Sequence, residues 1–443
     1  MLKQLFEQAK AKGMGDVEAY ITSGESFEVK IHKGEIDGYS SSLSHGLGFR
    51  GFHQGKVGYS YTERLSEDSI DILVRHAMEN AAINDSDDED FIFGGSPEYK
   101  SVKNYSEEFD KVTEAEKISF ARQMEAIALK LDKRIKSSQY CVMGTGKGDV
   151  NLVNSRNLDL SDRGNHGYAY IMLLAQDGAK LSSEFDYVMS NDFGMYDAEK
   201  LARSAAEKTL AFLDASCMKS GEYPVIIGNE PMAGILGAVS GIFSARAVQK
   251  NLSLLKGKLG EMVASECISV IDDPFLQNGT GTMAFDAEGV ASSHKKLIDK
   301  GILSTYLHNL KSAKKDGVAS TGNASRGSYK DTIGIAPSNL YIGKGMKTRD
   351  ELMREMRSGL FITDLQGMHA GFNTISGDFS LSAKGYMVEN GEKAGAVNQI
   401  TVSGNFYTMM KSAVHAGDDM KLDMSGKIGS PSILFSGLSI AGE

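Results

Sequence analysis

The run DAEGVASSHKKLIDKGILSTYLHNLKSAKKDGVASTGNASR, residues 286–326, decides how the rest of the chain is read. It opens on a polar turn, Asp286-Ala-Glu288-Gly289. It then passes through a short strand to Lys300-Gly301 and enters a segment where Leu303, Tyr306, Leu307 and Leu310 recur at helical spacing. Gly317 breaks that pattern. The loop beyond it, Ser320-Thr321-Gly322-Asn323-Ala324-Ser325-Arg326, offers backbone N–H groups, hydroxyls, an amide and a guanidinium, but no nucleophile beside its base. That is the inventory of a binding loop. Asp286 and Glu288 could act as acid and base, but two carboxylates in a turn before glycine more often cap or hydrogen-bond the backbone.

At 443 residues the chain is too long for one ordinary core and is expected to divide. A composition of 41% hydrophobic and 24% charged residues is that of a folded, soluble protein, and no apolar run approaches the length needed to span a bilayer. The amino-terminal segment is an amphipathic helix without the apolar core or cleavage site of a signal peptide, so a cytoplasmic location is expected. Cys141, Cys217 and Cys267 are widely spaced and read as reduced thiols. A net charge of −10 repels a phosphate backbone and disfavours nucleic-acid binding. The acidic run 84–90, NDSDDED, lacks the spaced glycine and closing glutamate of a calcium loop and reads as solvated loop.

Outward from the opening stretch, the first eighty residues read as helix, antiparallel strands (17–21, 27–32, 47–52, 57–61) and helix, with turns at Lys33-Gly34 and Gln54-Gly55. The order recurs. Thr113 and Glu116 form a capping box, strands follow at 135–143, 150–154, 168–175 and 181–189, and a helix spans 197–212. Residues 217–222 are the expected boundary between an N-terminal α+β domain, 1–216, and a C-terminal one, 222–443. In the second, a strand at 223–227 leads into an apolar helix from Asn229 and Pro231, and 261–273 reads as strand. Thr348 and Glu351 cap a further helix, 361–365 is a strand, Asn390-Gly391 marks a hairpin, 405–415 is a helix and 432–440 is strand. Short hairpin-linked strands without βαβ rhythm predict an α+β fold of antiparallel and mixed sheets flanked by helices.

The motifs Gly260-Glu261-Met-Val263-Ala264-Ser265, Ile271-Asp272-Asp273-Pro274, Asp286-x-Glu288-Gly289, Lys300-Gly301-x-Leu303 and Ser320-Thr321-Gly322-Asn323-Ala324 together resemble the C-terminal signatures of the TldD/PmbA family, also called modulators of DNA gyrase. Ser376-Gly377-Asp378-Phe379-Ser380, Gly385-Tyr386-x-Val388-Glu389-Asn390-Gly391, Ser403-Gly404-Asn405 and Gly417-Asp418-Asp419 extend the match over about 220 residues. In the N-terminal half, Gly46-Leu47-Gly48-Phe49-Arg50 and Gly58-Tyr59 are the best local matches.

The resemblance implies a two-domain cytoplasmic protein that works as a dimer. It also implies a peptidase family whose TldD branch carries a His-Glu-x-x-x-His zinc helix and a distant cysteine. Residues on successive turns of one helix face can share a metal while the glutamate handles the water. Here the corresponding run, 235–248, is ILGAVSGIFSARAV, without histidine, glutamate or cysteine, and no His-Glu pair exists in the chain. The match is therefore to the metal-free PmbA branch, also called TldE. The expectation is a non-metal subunit that binds no zinc itself, pairs with a TldD-like partner carrying the zinc, and holds an unfolded peptide as an added strand. Asp286, Glu288, Gly289, Thr321, Gly322, Asn323 and Arg326 are its expected substrate-binding residues, with no catalytic or metal-ligating residue of its own. The rival readings are a stand-alone homodimeric peptide-binding or chaperone-like protein and a DNA gyrase modulator. A metal site built from His294, His308, His369 and His415, or a Ser/His/Asp triad without a Gly-x-Ser-x-Gly elbow, is disfavoured.

Overall fold

A computed structural model describes residues 1–64, 66–85 and 89–443. Helix α1 (Leu2–Ala11) precedes strands β1 (Val17–His32), β2 (Glu35–His53) and β3 (Lys56–Thr62) and helix α2 (Glu67–Ala82). After the short α3 (Glu107–Asp110), the order repeats as α4 (Glu114–Leu131), β4 (Ile135–Asn154), β5 (Asp159–Asp177), β6 (Lys180–Ser190) and α5 (Ala198–Ala211). The strands form one antiparallel sheet, β3-β2-β1-β4-β5-β6, so the two units join where β1 pairs with β4.

These strands are longer than their sequence suggests. The expected pair 17–21 and 27–32 is one strand of 16 residues, and 135–143 with 150–154 is one of 20. Gly24 and Glu25 interrupt the apolar alternation, yet they pair with Ser44 and Leu43 on one side and with Gly148 and Lys147 on the other. Ladders on both flanks hold residues that propensity alone would leave in a turn.

One face of this sheet is covered by helices. Val17, Ala19, Leu47 and Phe49 pack under α1 and α2, and Phe27, Val29, Ile31 and Met143 under α4 and α5. On the other face, Tyr20 and Leu152 pack with Phe285, Ala287 and Ala324 from the C-terminal half.

That half opens with β7 (Gly221–Ile227), α6 (Asn229–Val239) and α7 (Ala245–Gln249), then β8 (Val270–Asp272), β9 (Lys295–Asp299), β10 (Ile302–Leu303) and α8 (Leu310–Asp316). Next come β11 (Ala324–Ser325), β12 (Gly334–Ile335), β13 (Leu340–Ile342), α9 (Arg349–Met356), β14 (Gly359–Gln366) and α10 (Met368–Gly371). The chain closes through β15 (Asp378–Glu389), β16 (Glu392–Asn405), α11 (Phe406–Lys411), β17 (Ala413–Ala416), β18 (Lys421–Leu422), β19 (Ile428–Ser430) and β20 (Ile433–Ala441). One mixed sheet runs β16-β15-β14-β7-β20-β17, and an extra β16–β20 pairing closes five of its strands into a ring. A second runs β10-β9-β8-β13-β19-β18. Helix α6 touches strands of both, and its Met232, Ile235, Leu236 and Val239 are buried in the largest core cluster. The fold is α+β, as expected.

Four local expectations are corrected. The helical spacing of Leu303, Tyr306 and Leu307 does not make a helix. Leu303 lies in β10, and Leu307 exchanges backbone hydrogen bonds with Phe243 and Ala245, so α8 starts only at Leu310, behind the Asn309 cap. Within 261–273 only Val270–Asp272 is strand, because Val263 and Ala264 donate instead to the Gly301 carbonyl in the turn after β9. The apolar run 235–248 is not one helix, since α6 stops at Val239, Ser240–Phe243 is a 3₁₀ turn and α7 starts at Ala245. The helix expected over 405–415 stops at Lys411, where Ala413 begins pairing with Phe435. Of the acidic run 84–90, residues 86–88 lie outside the described residues.

Candidate functional site

The seam between the two halves is built on a cross-strand pair. In the β1–β2 register Glu18 lies opposite Arg50, on the sheet face turned away from the helices. Arg50 donates from Nε to Glu18 Oε1 at 2.8 Å and from Nη2 to Oε2 at 3.1 Å. From the C-terminal half Arg326 reaches the same carboxylate, Nη2 donating to Oε1 at 2.6 Å, with its guanidinium 4.6 Å from the centre of the Tyr20 ring. Side-chain exposures of 0% for Glu18, 1% for Arg50 and 2% for Arg326 place this triad in the interior. Glycine makes the approach possible. A Cβ on Gly48 would lie 2.2 Å from the Tyr329 carbonyl oxygen, and one on Gly46 would lie 2.2 Å from the Tyr329 ring.

Asp286 and Glu288 sit beside the triad. Asp286 Oδ1 accepts the N–H groups of Glu288 at 2.9 Å and Val290 at 3.0 Å, and Oδ2 accepts that of Ala324 at 2.9 Å. Glu288 Oε2 accepts the Leu310 N–H at 2.7 Å, at the start of α8. Gly289 closes the turn at φ 83°, where a Cβ would strike Leu158 of the β4–β5 hairpin. Burial raises the Asp286 carboxyl on balance, against three N–H groups that hold it down. Burial and then the negative charge of Asp286 push the Glu288 carboxyl up as well, and because three N–H groups hold the Asp286 carboxylate against one on Glu288, the proton of the pair is placed on Glu288. With it neutral, two guanidiniums face two carboxylates.

Thr321, Gly322 and Asn323 belong to a second network. Thr321 Oγ1 donates to Asn323 Oδ1 at 2.8 Å and accepts the His308 N–H at 2.7 Å. Asn323 Nδ2 donates to Asp272 Oδ2 at 2.8 Å, and its Oδ1 accepts from Lys295 Nζ at 3.0 Å. Fully buried Asp272 also accepts from Lys295 at 2.9 Å and from the Ser338 N–H and hydroxyl at 2.7 and 2.8 Å. Gly322, at φ 69°, approaches the Ala291 carbonyl. The two networks meet where Ala324 donates to Asp286.

A cavity of about 200 Å³ opens on the seam, and Asp286 and Arg326 line it together with Tyr20, Asp162, Ser338 and Lys427. A wider cleft of about 330 Å³ lies alongside, lined by amides and hydroxyls that include Asn104, Asn165, Asn191 and Asn278. In its wall, burial raises the Asp162 carboxyl and lowers the His166 imidazole. The chemistry on offer is hydrogen bonding to a polar ligand from groups that the fold already orients. Sequence reading missed Glu18, Tyr20, Asp272 and Lys295. The available signal was parity, since Glu18 and Arg50 occupy the polar phase of strands whose other phase is core.

Among the described residues no three His, Cys, Asp or Glu side chains gather as a metal site. His308 hydrogen-bonds Ser312 and His415 hydrogen-bonds Glu355. In the run 235–243, Ile235, Leu236, Val239, Ile242 and Phe243 are core side chains, at most 3% exposed, and carry no atom that ligates a metal.

Three family models match the chain: the PmbA/TldA metallopeptidase domain 1 over residues 17–81, the central domain over 107–213 and the C-terminal domain over 220–442. A Thermotoga maritima structure described as a candidate modulator of a DNA gyrase is 33% identical, with a TM-score of 0.93 and 99% of both chains covered. Thermococcus kodakarensis TldE, at 23% identity, has the same fold, with a TM-score of 0.91 over 100% of both chains. The Metalloprotease PmbA of Escherichia coli O157:H7 is 26% identical across 99% of this chain and 94% of that protein. With the motif order, the fold and three matched domains in agreement, the chain belongs to the TldD/PmbA family of metallopeptidases.

Proposed function

We propose that this chain is the metal-free subunit of a cytoplasmic, two-component zinc metallopeptidase of the TldD/TldE type that handles unfolded peptides. A TldD-like partner supplies zinc, general base and activated water, and this chain supplies part of the surface that holds the peptide as an added strand. The observation that carries the reading is the core character of 235–243, the run that the resemblance aligns with the zinc helix of the metal branch. The metalloprotease names of the relatives support the reaction class, and the amide-lined cleft at the seam supports a peptide ligand. Among the described residues no helix is long and apolar enough to cross a membrane.

The test is zinc content and cleavage of an unfolded peptide, first with the pure chain and then with the TldD-like protein of the same genome added. Activity confined to the mixture, with no stoichiometric zinc in the pure chain, is the expected result. Zinc-dependent cleavage by the pure chain would overturn the reading.

A further inference from the structure

Strand β2 is paired on both sides only over part of its length. Against β3 its register runs from Leu47↔Thr62 to His53↔Lys56, and the Gln54-Gly55 turn there has both residues at positive φ. Residues flanking such a two-residue turn exchange both hydrogen bonds, so odd-numbered residues 47–53 direct N–H and C=O toward β3. The β1 register agrees. His32↔Glu35 flanks the Lys33-Gly34 turn, a bulge skips Asp37, and from Lys30↔Gly38 onward even-numbered residues of β2 face β1. Odd residues Tyr39, Ser41, Leu43 and His45 therefore present N–H and C=O outward, beyond the end of β3. Among the described residues no backbone hydrogen bond reaches them from that side.

Edges of this kind are ordinarily blunted by charge or proline. Residues 38–46, GYSSSLSHG, contain neither, in a chain of net charge −10. Tyr39 is 52% exposed and Leu43 81%. On the helix-covered face a pocket of about 160 Å³ lies inward of the edge, between Leu43 and β4, and Phe27 and Phe109 share its wall with the charged Glu25, Asp110, Glu114, Lys117 and Lys147.

The geometry points to this edge as the place where an extended polypeptide segment of about five to seven residues adds as an antiparallel strand, held through its backbone by the outward N–H and C=O groups of β2. The occupant follows from the lane available. A second copy of β2, pairing antiparallel over 38–46, would carry its own residues 35–37 and its Lys33-Gly34 turn into the lane held by Thr62 and the rest of β3. A short linear segment stops before Thr62 and uses all four outward residues. This inference rests on the peptide-handling reading and assigns it a docking edge on the N-terminal sheet.

The experiment uses the full chain and a fluorescein-labelled, uncharged heptapeptide of small and apolar residues, followed by anisotropy. Ser41→Pro and Leu43→Pro each remove one outward N–H and leave the β1 ladder intact, and each is expected to weaken binding about tenfold. Ser41→Ala, which keeps the N–H, is expected to bind like wild type. Thermal melts identify a proline variant that fails to fold. Independently of folding, peptides N-methylated at successive positions are scanned against the unmodified chain. Loss at every second position is the signature of strand addition. Binding that survives both prolines, or a methyl scan without period two, overturns the edge and leaves the two-subunit peptidase standing. Peptide that fails to bind the pure chain also overturns it, whereas failure of the peptidase reading shows separately, as cleavage absent from the mixture.

Discussion

Replacing Glu18 by Gln should damage the protein far more than replacing Arg326 by Met. Among the described residues Glu18 is the one carboxylate that accepts from both Arg50 and Arg326, and it is fully buried. A glutamine there offers one oxygen and turns an N–H₂ toward cations, so two guanidiniums remain in the interior with the Asp286 carboxylate alone to offset them. Breaking one buried pair from one side costs about 3–5 kcal/mol, and here one substitution breaks two, so a loss of about 5 kcal/mol is expected. Arg326→Met leaves Glu18 in two-point contact with Arg50 and returns apolar volume to a site lined by Tyr20. Its cost is that of one charged hydrogen bond, roughly 1.5–3 kcal/mol. Against a typical total of about 5–15 kcal/mol, the first change removes a third or more of the stability and the second a minor part. Urea titration followed by far-UV circular dichroism and by tyrosine emission measures both, since the chain has 17 tyrosines and no tryptophan. Where the two halves unfold separately, the shift is read in each transition. Equal shifts, or a Glu18→Gln effect under about 1 kcal/mol, would refute the reasoning.

Glu288 makes the seam pH-dependent. Its folded pKa, near 8, lies above the ordinary 4.5, so the folded state binds the extra proton. That contribution is complete below about pH 4.5 and is lost as pH rises through 8, with a slope of at most about 1.4 kcal/mol per pH unit. Glu288→Gln keeps an oxygen for the Leu310 N–H and should flatten stability against pH between 5 and 8; an unchanged slope counts against the assignment. Gly48→Ala should lower the melting temperature by an overpacking cost of about 1–3 kcal/mol, because the Tyr329 backbone occupies the space, whereas Gly55→Ala meets no neighbour and should cost only the strain of its positive φ. Thiol titration of the native chain should leave Cys141 unreacted while Cys217 reacts, since Cys141 is fully buried and its thiol is pushed up by burial and by Glu125.

The parts of this fold legible in sequence are those whose cause is local. Lys33-Gly34, Gln54-Gly55 and Asn390-Gly391 all take positive φ at the turns where they were expected. The capping boxes Thr113/Glu116 and Thr348/Glu351 form, and Gly317 ends α8 in the left-handed region. Illegible parts have distant causes. Gly144 to Gly148 stays extended because β1 and β5 flank it, and the spacing of Leu303 and Leu307 reflects separate contacts with Ile298 and Phe243. The site divides the same way. The loop and its Asp286 turn could be named from residue types, but their partner Glu18 lies 308 residues away from Arg326 and announces itself only by strand parity.

The Glu18–Arg50 pair also bears on how the chain is made. Synthesis from the amino end completes β6 at Ser190 well before Arg326 emerges, a delay on the order of ten seconds at ordinary elongation rates. During that time the N-terminal sheet can form with one face already under its helices and the other still in water. An apolar seam would leave that face adhesive. A seam centred on two strand neighbours that neutralise one another stays wettable, and becomes interior only when the second half arrives with the guanidinium that completes it.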